Sequence, residues 1–246
     1  MKFNIKKSDI FKYMIIAFVA YLSKQVVNQL FDSAEDKKTE QSANEEKQEE
    51  ETHVVSGTVQ GHDYVDLGLS VMWATYNVGA VNLWDHGDCF AWGETEQKET
   101  YTSANSATYG VGYKELKGRG VVDDRGTLTP DYDAASANWG SEWRMPTNDE
   151  QRELLENCKH SWMKFNGVYG MKFTGKNGNF VFFPAAGGRF GSDVGGKGLY
   201  GRYWSSSLCE ESEDGALGLY FGEEDVYWSI YYRSNGFSVR AVRVQK

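Results

Sequence analysis

The stretch NWGSEWRMPTNDEQRELL, residues 138–155, decides how the chain is read. Thr147 followed three residues later by Glu150 fits a capping box: the Thr hydroxyl accepts from the backbone three residues on, and the Glu reaches back to the Thr amide. Asp149 and Glu150 also suit the positive end of a helix dipole. Leu154, Leu155 and Cys158 then give a short helix over 147–158 one apolar stripe. Pro146 disfavours helix in the residue before it, so Trp143, Arg144 and Met145 are expected to arrive extended. The segment reads as strand, proline corner and capped helix, with indoles packed around the corner. It describes the core of a domain and carries no chemistry of its own.

Working outward, the domain is expected to run over 53–246. Val54, Val55 and Val59 suggest a first strand, and Tyr64–Ala74 a hairpin around Gly68. Cys89–Trp92 reads as a short buried strand. Residues 93–129 are polar and glycine-rich, with Tyr101, Tyr109 and Tyr113 spaced through them: a long surface excursion, of a length that is unusual unless functional or held by packing. A first helix is expected over Asp131–Trp139, with Asp131 or Asp133 near its cap. Beyond the 147–158 helix the chain turns to β. Met171–Gly175 and Asn179–Phe183 flank Asn177-Gly178, a hairpin signal. Strands follow at Tyr203–Ser207, Ala216–Phe221, Val226–Tyr232 and Phe237–Val244, the last flanked by Arg240 and Arg243.

Ahead of the domain the composition changes twice. Residues 1–31 place Lys2, Lys6, Lys7 and Lys12 before the apolar run Met14–Leu22, the order of a signal peptide or membrane anchor. The run is shorter than the roughly 20 apolar residues of a spanning helix, which leaves an amphipathic helix as the alternative; export or membrane anchoring is the expected reading. Residues 32–52 hold nine carboxylates against three lysines and no apolar residue larger than alanine. Such a segment cannot bury enough surface to order itself, and is expected to be an acidic linker.

Several landmarks besides WRMPTNDE occur in order: Tyr64-VDLGLSVMWATYNVG-Ala80, Ala91-WG-Glu94, Phe183-PAAGG-Arg189, Tyr203-WSS-Ser207 and Arg233-SNGFSVRAV-Arg243. Together they resemble the Fibrobacter succinogenes major paralogous domain family and, more distantly, formylglycine-generating-enzyme-like proteins. The resemblance implies an α+β, C-type-lectin-like fold with two short helices, several antiparallel strands and long loops, carried on exported bacterial proteins. It places Trp143, Arg144, Pro146, Thr147, Glu150, Trp204 and Trp228 in the structural motif.

A formal charge of −9 argues against nucleic acid as a partner, since phosphate binding needs a basic surface. Aromatic residues make up 15% of the chain and prolines number three, the composition of a strand-and-loop protein with an aromatic core. Cys89, Cys158 and Cys209 are widely spaced, which signals neither a zinc site nor a disulfide framework, and the plain reading is three small buried residues. Gly196–Gly201 matches GxGxxG, but a strand follows where a dinucleotide site needs a helix, so it reads as a loop. Cys158 and His160 lie two apart and share no helix face. Cys209 alone does not reproduce the cysteine chemistry of the formylglycine-generating enzymes. The clusters Glu210–Asp214 and Glu223–Asp225 fit no calcium-loop spacing and read as charged hairpin tips. No catalytic group, metal or cofactor is signalled.

The informative stretch is Val226-Tyr-Trp-Ser-Ile-Tyr-Tyr. With strand alternation, Val226, Trp228 and Ile230 are expected to face in, and Tyr227, Ser229 and Tyr231 out, with Tyr232 at the strand end and Tyr220 on the neighbouring strand. Exposed tyrosine gives large, rigid contact area at low entropic cost, as in a paratope. An aromatic core strand is the plain alternative. Members of the resembled family carry an asparagine run here. Tyr, Ser and Ile are products of an AAC codon altered only at its adenines. The pattern therefore resembles the target of a diversity-generating retroelement, with Tyr227, Ser229, Ile230, Tyr231 and Tyr232 as variable positions. The expected function is a ligand-binding protein displayed at the cell envelope, taking a protein or glycan ligand at Tyr220, Tyr227, Ser229, Ile230, Tyr231 and Tyr232, with membrane attachment through residues 1–31. A structural or adhesin subunit of a surface assembly is the second reading, and an oxidase the third.

Overall fold

The computed structural model describes residues 55–244, which belong to one compact unit spanning His53–Lys246. The readings of 1–31 as an anchor, of 32–52 as a linker and of Val54 as strand lie outside the described residues.

The expected α+β, C-type-lectin-like fold is corrected by the structure. The protein is mostly β, with 39% strand against 15% helix, in several antiparallel sheets that include a half-barrel. Helix α1 (Tyr113–Gly118) and helix α2 (Ala134–Trp139) have six residues each, and only α3 (Asn148–Asn157) reaches ten. Helices this short cannot form a layer of their own. The longest, α3, packs Leu154 against apolar residues of the sheets instead.

A four-stranded sheet has the order β1 (Gly57–Val59), β2 (His62–Val65), β3 (Val71–Ala74), β14 (Val242–Val244). A five-stranded sheet runs β12 (Val226–Tyr232), β11 (Gly215–Gly222), β10 (Tyr200–Leu208), β13 (Phe237–Ser238), β4 (Cys89–Phe90). A meander of β5 (Lys159–Phe165), β6 (Val168–Thr174) and β7 (Phe180–Pro184) forms the third, and a small ribbon of β8 (Gly188–Phe190) and β9 (Asp193–Gly195) the fourth.

Turn chemistry sets two of these pairings. Gln60-Gly61 joins β1 to β2, and Asn166-Gly167 joins β5 to β6. Both residues of each pair have positive φ, the geometry of two-residue hairpin loops whose twist matches the strands. The expected Asn177-Gly178 hairpin is looser. The Asn177 side chain donates to the Asp66 carbonyl at 2.9 Å, and five residues separate Thr174 from Phe180.

The five-stranded sheet is buried on both faces over much of its area. Trp204, Leu208, Ala216 and Phe237 face one cluster with Trp92, Trp139 and Trp143. Tyr203, Leu219 and Phe221 face another with Trp73, Leu154, Phe173 and Phe183. Buried strands thus carry apolar residues at consecutive positions, as in Phe180–Pro184, where all five are buried. The 93–129 excursion is held by packing. Tyr101, Leu116, Val121, Val122 and Leu128 are all buried.

The corner at Pro146 forms as its sequence dictates. Arg144 bridges to Val242 in extended conformation. Thr147 caps α3, its hydroxyl accepting from the Glu150 amide at 3.3 Å, and the Glu150 carboxylate accepts from the Thr147 amide at 2.8 Å. Asp133 caps α2, accepting from Ala135 and Ser136. The expected last strand is split. Phe237–Ser238 stays in the five-stranded sheet, and Val242–Val244 crosses to the four-stranded one. Arg240 sits at the crossover, fully buried. Its guanidinium donates to the Asn77 side chain and to the carbonyls of Ala74, Thr75 and Phe182. Those four acceptors are what make a buried cation tolerable there.

Among the described residues no helix is long and apolar enough to cross a membrane, and no group of three His, Cys, Asp or Glu side chains is placed to hold a metal.

Candidate functional site

Among the described residues, strand β12 lies at the edge of the five-stranded sheet and pairs only with β11. The register is unbroken from Gly215↔Tyr232 to Phe221↔Val226, with no bulge. Alternation has the expected phase. Val226, Trp228 and Ile230 stand opposite Phe221, Leu219 and Leu217, while Tyr227, Ser229 and Tyr231 stand opposite Tyr220, Gly218 and Ala216. The assignment of inside and outside is corrected. Trp228 and Ile230 were expected to face in, yet they are 45% and 48% exposed, beside Tyr227 at 46% and Tyr232 at 61%. Tyr231, expected to face out, is half-buried, with its ring edge-on to Phe237 at 5.1 Å and to Trp204 at 6.2 Å. At a sheet edge the core thins out, so the apolar-side residues emerge into solvent. The other face stays covered where Trp204 and Phe237 reach across.

On the Tyr227 face a row crosses three strands. Arg202 pairs with Tyr220, and Tyr220 with Tyr227. The Tyr227 and Tyr220 rings stack at 4.7 Å, and Tyr200 follows at 5.7 Å. The Arg202 guanidinium lies among five rings: Tyr200 at 4.5 Å, Phe190 at 5.1 Å, Tyr231 at 5.4 Å, Phe237 at 5.7 Å and Tyr220 at 5.9 Å. Such contacts stabilise a cation by electrostatic attraction to ring faces. Burial pushes the Tyr231 hydroxyl up to about 12 against the pull of Arg202 and Ser229, and also raises Tyr220. Both phenols are therefore neutral donors at physiological pH.

This geometry bears on what the face can hold. Tyr220 lies between Tyr227, stacked on it, and Tyr200, tilted against it. A sugar would meet hydroxyl edges and one outer face, at Tyr227. A chain laid along β12 would meet Tyr227 on one side and Trp228, Ile230 and Tyr232 on the other. The Trp228 indole is itself backed by Arg152 of α3 at 5.7 Å. A shallow depression of about 390 Å³ beside Ile230, Tyr231, Tyr232 and Asn235 continues the edge.

The motif residues from the 138–155 stretch gather elsewhere. Trp143 is buried, and Arg144 donates twice to Glu150, at 2.7 and 2.5 Å. Arg144, Glu150 and the capping Thr147 border a cleft of about 580 Å³ that also takes in Asp123, Asp133 and Ser206. Their polar groups are already engaged. Arg144 is paired with Glu150, and Asp133 accepts from the amides of Ala135, Ser136 and Met145. Trp204 is buried and donates to the Phe90 carbonyl at 2.8 Å. Trp228, grouped with this motif in the sequence, lies apart from it on the edge strand.

No family, curated protein or solved structure matches the chain. The site therefore rests on its own geometry.

The cysteines are distributed as small core residues. Cys158 and Cys209 are buried and Cys89 is half-buried. Burial pushes the Cys89 and Cys158 thiols up to about 11, so neither is a thiolate at neutral pH. His160 is exposed on β5. Residues 196–201 lead into strand β10, as the loop reading of GxGxxG expects. Arg202, Tyr200 and Phe190 were missed at the sequence level. The signal available was the alternation in Gly201-Arg-Tyr-Trp204, which puts Arg202 on the same face as Trp204.

Proposed function

We propose that this protein is a ligand-binding module that takes a protein ligand along the aromatic edge strand β12. The observation that carries the reading is the exposure of four large apolar side chains, Tyr227, Trp228, Ile230 and Tyr232, on one unbroken seven-residue edge. Natural sheets blunt such edges with lysine, proline or bulges, and β12 has none of these. Tyrosine and tryptophan are also the residues that most often dominate binding energy. A Tyr220 ring held between Tyr227 and Tyr200 favours a protein over a glycan. Display at the cell envelope is supported by the basic start and apolar run of residues 1–31. Diversification of positions 227 and 229–232 is supported by the residue types found there and by resemblance to the Fibrobacter succinogenes family landmarks.

The test is a screen of the parent protein against a random-peptide display library and a glycan array. Peptide hits are expected, and the Tyr227→Ala/Trp228→Ala double variant should lose them by about 100-fold while melting at the parent temperature, as hot-spot truncation does. Hits that survive in a folded double variant, or glycan hits alone, would overturn the reading.

A further inference from the structure

Resting on the reading of β12 as the binding edge, we infer that the partner is an extended, positively charged peptide segment that pairs with β12 as a sixth strand of the sheet. The backbone supplies the first argument. An edge strand presents a row of N–H and C=O groups on its open side, and a peptide in extended conformation satisfies them in register. Seven residues without a bulge give a continuous ladder, and β12 is flat enough in sequence terms to offer it: no Pro, no Gly, no Lys lies between Val226 and Tyr232.

Charge supplies the second. Both ends of the strand carry carboxylates. Glu223, Glu224 and Asp225 form the tip that leads into Val226, and all three are exposed. At the other end Tyr232 pairs with Gly215, next to the loop bearing Glu210, Glu211, Glu213 and Asp214, and the Arg233 amide donates to the Asp214 carbonyl at 2.8 Å. The Glu210, Glu211 and Glu213 side chains are exposed as well. A strand laid on β12 thus runs between two acidic clusters. Lysines or arginines at its ends are attracted by both, and acidic residues are repelled.

The same charges decide against a second copy of the chain. Two β12 strands paired antiparallel would set the 223–225 tip of one against the 210–214 loop of the other, like charge against like at both ends. A basic peptide meets no such cost. Between its charged ends, the peptide's side chains would alternate between Tyr227 on one face and Trp228 and Ile230 on the other, which asks for apolar residues there.

The experiment uses the whole protein and three labelled heptapeptides, read by fluorescence anisotropy: three valines flanked by two lysines at each end, the same peptide N-methylated at every amide, and three valines flanked by two glutamates at each end. The lysine peptide is expected to bind. The methylated peptide keeps the charges and loses the ladder, so it should bind about tenfold weaker or worse. The glutamate peptide should not bind. A Glu223→Gln/Glu224→Gln/Asp225→Asn variant should weaken the lysine peptide about tenfold, and added salt should do the same. Equal binding by the methylated peptide overturns strand addition, and equal binding by the glutamate peptide overturns the charge argument. A dimer in sedimentation that Ile230→Lys dissolves would give the edge to a second copy instead. If library peptides bind and are lost in the Tyr227→Ala/Trp228→Ala variant while the lysine peptide fails, only the strand-addition inference falls; if both fail, the edge is not a binding site.

Discussion

Asp133 shows how one side chain can serve structure and still resist its own charge. It is 2% exposed, caps α2 and accepts from Met145 as well. Burial nevertheless outweighs those three amides and the nearby Arg144, pushing its carboxyl up to about 6. In the unfolded chain the group titrates near 3.9. Between about pH 4 and 6 the folded state therefore holds a proton that the unfolded state lacks. The stability Asp133 contributes is full below that window and is lost as pH rises through 6. Asp133→Asn keeps a capping oxygen and removes the titration. Urea unfolding across that range should give a flatter stability profile for the variant than for the parent. Parallel profiles would mean that the carboxyl titrates near its ordinary value.

At the scale of elements, α3 is fastened by two devices that share Glu150. Thr147→Ala removes the hydroxyl cap and is expected to cost about 1 kcal/mol. Glu150→Ala removes its half of the capping box and the two bonds from Arg144, and is expected to cost about 2 kcal/mol. Denaturant titration of both variants separates these contributions, and equal losses would mean that the Arg144 pair contributes nothing. The capping box was legible because its information lies within four consecutive residues. The hairpin at Asn166-Gly167 was missed because its first strand, Lys159–Phe165, is mostly exposed and carries no clean alternation. For β12 the alternation was legible and the inward face was not. Period two fixes which residues share a face, whereas sheet position fixes which face is covered, and that depends on Trp204 and Phe237 from other segments. The rings around Arg202 come from positions 190, 200, 220, 231 and 237, a convergence no local pattern announces. Both expected helices are present, and the α+β class fails on the strand side: short strands such as β8 and β9 arise in a glycine-rich stretch with no apolar alternation to announce them.

At the scale of the molecule, Arg240 is the bolt. Ala74, Thr75 and Asn77 lie in or just beyond β3 of the four-stranded sheet, and Phe182 belongs to the three-stranded one, so a single guanidinium ties those two sheets at the point where the chain passes from the five-stranded sheet to the four-stranded one. Burial lowers its pKa to about 10, which leaves it charged at neutral pH. Arg240→Met would leave those acceptors unpaired in the interior, and is expected to lower the free energy of unfolding by about 3 kcal/mol or more. Arg243→Met is the comparison. Its guanidinium is mostly covered too, lying over the Tyr64 ring at 4.8 Å, but it meets the partly exposed Glu142 at 3.6 Å in place of four buried acceptors, and its loss should be smaller. Similar losses for the two, measured by thermal melting, would show that the crossover is held by something other than Arg240.

The exposure of Trp228 has an optical consequence. Of the eight tryptophans, it alone is exposed; Trp84 and Trp162 are half-covered and the rest are buried. The most red-shifted and most readily quenched emission of the native protein should therefore come from the edge strand itself. Any strand, peptide or second molecule laid along β12 would shield that indole from acrylamide and move its emission to the blue, with no label attached.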